Sequence, residues 1–144
     1  MKEHEFRESV AVDIWYPDHP PRTESALFSR TKHNLINQLD LPCFICGTKE
    51  LREVHHFHVE WAFADGVDWE KMKTLHPNFP WDTFKDPSDF VDHPYNMMIL
   101  CQEHHRKTDR GIHNMPYPLW IMQQHSMAGF DLFGEPTAAI KPSA

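Results

Sequence analysis

Hydrophobic and polar positions alternate along this chain in short blocks, cut by proline and glycine, and no apolar run approaches the roughly 20 residues that span a bilayer. Residues 10–17 read as a short strand ended by Pro17, followed by a proline-rich turn from Asp18 to Arg22. Thr23 or Ser25 can cap a helix running to about Leu39, with Leu27, Leu35, Ile36 and Leu39 near one face. Pro42 ends that element. Residues 51–59 read as a strand, 96–100 as a second short apolar strand, 101–110 as a helix stopped by Gly111, and 116–125 as a last short helix. Between the strands, helical pieces are expected near 59–64 and 68–75. Trp61, Trp69, Phe79, Trp81, Phe84 and Phe90 lie in this stretch, and their expected use is as core rather than as a base-stacking platform.

The 144 residues suffice for one compact domain, expected to span 1–144. Within it, 1–41 would form an N-terminal strand and helix, 42–113 the functional core with an insertion at about 59–95, and 114–144 a C-terminal helix and tail. The tail from Glu135 is expected to be loosely ordered. The first ten residues are charged rather than apolar, so no secretory signal is read and a cytoplasmic setting in a bacterial host is expected. Net charge is -7, which counts against a nucleic-acid binder. The charge is uneven, however. Residues 57–95 carry eight acids against three lysines, whereas Arg106, Lys107 and Arg110 follow His105.

The three cysteines, Cys43, Cys46 and Cys101, argue against a disulfide framework in a reducing compartment. Cys43-Phe-Ile-Cys46-Gly47 reads as a metal knuckle whose glycine allows the tight turn. Cys101 and His104 repeat the same spacing, and on a helix they share a face. Zinc takes four such sulfur and nitrogen ligands in a tetrahedron, so a structural Zn2+ would staple two distant segments. A redox pair or three buried apolar cysteines are the rival readings.

Val54-His55-His56-Phe57-His58 lies between the half-sites, and His105 follows the second one. About 100° per residue turns His105 away from the Cys101/His104 face, and Asp109 lies one helical turn further on, so the two could share a second ion. This ordered set, with Asn96 before the apolar strand, resembles the HNH (ββα-metal) endonucleases of the stand-alone phage or bacterial type with a structural zinc. The resemblance covers about residues 43–113. It implies an α+β fold: a ββα-metal core stabilised by a Cys3His zinc site, with an N-terminal strand and helix extension and an acidic, aromatic-rich insertion. It also implies that His56 is the general base, that Asn96 holds the base strand and loop in register, and that His105 binds the catalytic metal. His55 stands where many members have an aspartate ligand, colicin-type nucleases being similar in having a histidine there, and Asp109 falls where some place a further ligand. One divalent ion (Mg2+, Mn2+, Ni2+ or Zn2+) would then sit on His55, His105 and Asp109, with Arg106, Lys107 and Arg110 on flanking phosphates.

Some alternatives stay open at the level of sequence. His58 could take the role of His55 or His56, and His113 that of Asp109. A surface or hydrogen-bonded role is the plainer reading for His58, His93, His113 and His125. The function expected is a metal-dependent endonuclease or nickase acting on DNA, or alternatively on RNA, with a protein partner at the acidic insertion. The competing functions are a non-catalytic zinc-stabilised binding module and a metal-dependent toxin.

Overall fold

The computed structural model describes residues 11–130, 132 and 133. It is a small α+β protein with, among the described residues, two strands, β1 (Arg52–His56) and β2 (Met97–Cys101), and five short α-helices. These are α1 (Ala26–Lys32), α2 (Trp69–Leu75), α3 (Ser88–Val91), α4 (Gln102–Arg106) and α5 (Tyr117–His125). The strands form one antiparallel pair. The Phe57 N–H donates to Asn96 O at 2.7 Å and the Gln102 N–H to Leu51 O at 2.8 Å, which frames the ladder in a single register. β2 runs directly into α4, so the order strand, strand, helix is complete.

The strand expected at 51–59 is shorter for two physical reasons. Leu51 has φ 49°, outside the extended region. Beyond Phe57, the Asn96 side chain takes the His58 and Val59 N–H groups that a ladder would have used. The expected N-terminal strand is absent from its described part, since residues 11–25 form no regular element. Pro17, Pro20 and Pro21 supply no N–H there, and β1 and β2 are the only strands among the described residues. The helix expected over 101–110 ends at Arg106, because Lys107 adopts an extended ψ of 140°. The expectations for residues 1–10 and for the tail from Glu135 lie outside the described residues.

The chain clusters into two compact units, each assembled from separated stretches. The first contains, among described residues, 11–13, 42–53 and the part from 100 onward. Its apolar centre includes Cys43, Ile45, Leu100, Cys101 and Trp120, and Trp120 is fully buried at 0% exposure. The Trp120 Nε1–H donates to His104 O at 2.8 Å, which satisfies the indole and ties α5 to α4. The Cys43 turn closes through Gly47 N–H to Cys43 O, with Gly47 at φ 77°. That left-handed conformation is the one glycine adopts without steric cost.

The second unit contains 14–41 and 54–99. Ser25 caps α1, its Oγ accepting from Phe28 N–H at 2.9 Å. From His33 the helix widens to an i to i−5 pattern, marked by Leu39 N–H donating to Asn34 O at 2.8 Å. The change of phase explains why Phe28, Thr31 and Leu35 are buried while Leu39 is exposed. The acidic segment has its own core of Val59, Ala64, Phe79, Phe90 and Val91. Trp61, Trp69, Trp81, Phe84 and Tyr95 pack on it, so these aromatics serve as core. The segment does not stand alone. The N-terminal stretch packs with it through Tyr16 on Phe63 and through Arg22 over Trp61.

Candidate metal centre

Cys43, Cys46, Cys101 and His104 all belong to the first unit, and their ligand atoms lie within 4.8 Å of one another. The turn at Gly47 brings the first two together, and the start of α4 supplies the others. Cys101 caps α4 by accepting the His104 N–H on its sulfur at 3.5 Å. The Cys46 and Cys101 sulfurs are 3.9 Å apart, far beyond a disulfide. Two sulfurs about 2.3 Å from one zinc at the tetrahedral angle would be roughly 3.8 Å apart, so the spacing fits the ion. Cys101 Sγ to His104 Nδ1 is 3.3 Å.

The charge balance points the same way. Burial pushes the Cys43 thiol up, but hydrogen bonds from His104 and from main-chain groups near Cys101 and Cys46 outweigh it, to about 6. Cys101 is pushed up to about 12 by burial, with the nearby Cys43 charge opposing a further one. Burial likewise raises Cys46. The group thus accommodates one negative charge readily and resists more. A divalent cation would remove that resistance.

A second arrangement in this unit involves His105. Its Nδ1 lies 2.9 Å from Glu53 Oε1 and its Nε2 3.0 Å from His113 Nε2. Nitrogens about 2.1 Å from a common ion are roughly 3.0–3.4 Å apart, so the pair fits a shared cation. A carboxylate behind a ligand imidazole fixes its tautomer and aim. His113 reaches this place because the chain folds tightly back after α4. Gly111 N–H donates to Lys107 O at 2.8 Å, and Asn114 Nδ2 donates to Arg106 O at 3.0 Å. Asp109 is a correction. It sits on the turn beyond the helix end, so the one-turn relation to His105 does not hold, and it lies 3.9 Å from Lys107.

The cations expected to contact phosphate are all engaged with acids. Arg106 grips Glu53 through Nε at 3.0 Å and a second nitrogen at 2.8 Å. Lys107 lies 3.7 Å from Glu103, and Arg110 lies 3.4 Å from the same carboxylate.

In the second unit, His55 and His56 are both buried, at 5% and 7% exposure. Strand alternation places His55 on the face of β1 that carries Glu53, and His56 on the other. His55 Nε2 lies 3.9 Å from Glu60. His56 Nε2 lies 3.1 Å from Asp92 Oδ1 and its ring packs near Phe28. Asn96 is fully buried and uses its whole amide. Its Oδ1 accepts from His58 N–H at 2.7 Å and Val59 N–H at 3.0 Å, and its Nδ2 donates to Val59 O and Val91 O. His58 stacks with Tyr95 and is held low by burial and by His76 nearby.

Sequence reasoning missed Glu53 and Asp92 as partners of the histidines. Neither had a local signal: Glu53 is 52 positions from His105, and Asp92 is separated from His56 by 36 positions of aromatic-rich chain. Among the described residues, no helix is long and apolar enough to cross a membrane. No family model matches this chain, and neither the curated proteins nor the solved structures contain a match.

Proposed function

We propose that this protein is a metal-dependent HNH-type endonuclease or nickase that hydrolyses phosphodiester bonds in DNA. The observation that carries the reading is the antiparallel pair β1 and β2 with β2 running directly into α4, a Cys3His group at the helix start, and His105 beside His113. A bare zinc staple has no use for a second, carboxylate-backed pair of imidazoles.

In this reading a structural zinc sits on Cys43, Cys46, Cys101 and His104. His105 and His113, 3.0 Å apart, would hold a divalent cation, with His113 in the place the resemblance gives to Asp109. Such a cation would supply charge neutralisation at a phosphate oxygen and at the leaving oxygen. The protein's own steps are simpler. His56 accepts the proton of the attacking water, a task suited to a neutral imidazole. Asn96 holds the end of β1 against the next loop, which keeps His56 in place. Glu53 aims His105. The nitrogen-rich set favours a transition metal over Mg2+.

Nicking of supercoiled plasmid tests the reading, with Mg2+, Mn2+, Ni2+ or EDTA, in the parent and in His56→Ala and His105→Ala. Metal-dependent nicking lost in folded variants is expected. Cleavage that survives in His56→Ala would mean another group is the base. A second reading, a non-catalytic zinc-stabilised module, is favoured by one observation: Arg106, Lys107 and Arg110 all face carboxylates. Intact plasmid under every metal would decide for it.

A further inference from the structure

We propose that Asp92 is the positioning residue for His56: its carboxylate holds the imidazole by Nε2 and leaves Nδ1 as the nitrogen that accepts the water proton. The catalytic part of this rests on the nuclease reading above, and the anchoring of the ring does not.

Asp92 lies at the end of α3 and is 4% exposed. A buried carboxylate is costly unless both oxygens are satisfied. Here Oδ1 faces His56 Nε2 at 3.1 Å and Oδ2 accepts from Ser25 Oγ–H at 2.7 Å. The main-chain oxygen of Asp92 accepts from the Thr31 hydroxyl at 2.8 Å, which fixes the backbone beneath the side chain. Two separated stretches of the second unit, α1 with its cap and the end of β1, therefore converge on Asp92.

Burial alone would raise the Asp92 carboxyl, but the bonds from His56 and Ser25, with the His56 and Arg22 charges, carry it below its ordinary value. An ionised carboxylate only accepts hydrogen bonds, so Nε2 must be the protonated nitrogen of His56. In the neutral ring the lone pair is then on Nδ1. The Phe28 ring, 5.8 Å from the imidazole, limits rotation of the ring. Asp92 comes from the acidic segment and Ser25 from the α1 cap. Neither is a motif residue of the resemblance.

The test uses the full-length, zinc-loaded chain with 15N-labelled histidine. Nitrogen–proton correlations at alkaline pH are expected to show His56 as a single Nε2–H tautomer. Asp92→Asn is expected to lose that single tautomer. Its nicking rate at saturating DNA should fall by about 100-fold, the low end of what a positioned acid–base group contributes, with little change in KM. Ser25→Ala removes a helix cap and one bond to the same carboxylate but leaves the His56 contact. It should keep the tautomer and most of the rate, whereas a purely structural role would make the two variants alike. If Asp92→Asn does not fold, the parent's tautomer decides. An Nδ1–H or mixed tautomer in the parent, or a full rate in Asp92→Asn, would overturn the proposal for Asp92 alone. Intact plasmid with every form would overturn the nuclease reading, and with it the catalytic use of Nδ1.

Discussion

Gly111→Ala is the sharpest test of the turn that places His113. A Cβ at Gly111 would lie 2.7 Å from the Arg106 main-chain nitrogen and 2.8 Å from its carbonyl carbon and Cα. With φ at −82° the backbone itself accepts any residue, so space is the whole constraint. All three obstacles are main-chain atoms, which no rotamer change can move. Reaching an ordinary carbon contact of about 3.5 Å needs a shift of roughly 0.7 Å. That shift would stretch the Gly111 N–H bond to Lys107 O and the Asn114 bonds that close the turn. Overpacking of this kind costs about 1–3 kcal/mol. At the middle of that range the melting temperature should drop by roughly 4–8 °C. His113 lies two residues beyond and would move with the turn, so calorimetric binding of Mn2+ or Ni2+ should weaken about tenfold, as when a supporting group behind a ligand is lost. Zinc content should stay at one per chain. A variant that melts within about 1 °C of the parent and binds the second metal equally well would refute the close packing of this turn.

Stripping zinc with a strong chelator should unfold the first unit, read as loss of the Trp120 near-ultraviolet signal and its return on adding zinc; an unchanged spectrum would refute the staple. Acidification should destabilise the second unit in two stages. Burial holds His58 and His93 below their ordinary 6.5, with His76 adding to the effect on His58, so the unfolded chain takes up protons first and stability falls as pH drops from about 6.5. Asp92, depressed below its ordinary 3.8, adds a second loss below that value, and urea midpoints that rise on acidification would contradict both. Asn96→Ala leaves several buried main-chain groups unmade at roughly 1–3 kcal/mol each, so urea denaturation should show a loss of about 4 kcal/mol. Neutralising the exposed acids Asp65, Glu70 and Asp82 should raise non-specific DNA affinity at low salt, and unchanged binding in a salt titration of the folded variant would count against acidic masking.

The chemistry of the first metal group was legible because ligand spacing is a local property. Cys43 with Cys46, and Cys101 with His104, each needed only one turn of known geometry. Asn96 stood out as a polar residue before an apolar strand, although its four bonds could be seen only in three dimensions. What stayed hidden depended on distant packing. No pattern in the sequence ties Asp92 to Ser25 and His56, because a buried carboxylate looks like any other acid in a segment rich in them. The end of α4 at Arg106 was missed because Gly111 was read as a stop signal, when its function is to let the chain pass close to the helix backbone. The N-terminal strand failed for want of a partner: strand-like residues without a ladder remain extended chain.

An ion on the Cys3His group would have a consequence for how this architecture can change in length. Cys46 and Cys101 lie 55 positions apart, and everything between them would form a loop closed by one centre. Closure entropy grows only with the logarithm of loop length, so doubling or halving it alters the cost by about 0.6 kcal/mol. Segments can therefore be gained or lost between the half-sites at small thermodynamic expense. The true restriction is on phase, because Asn96 must still meet the end of β1 and keep the two strands in step.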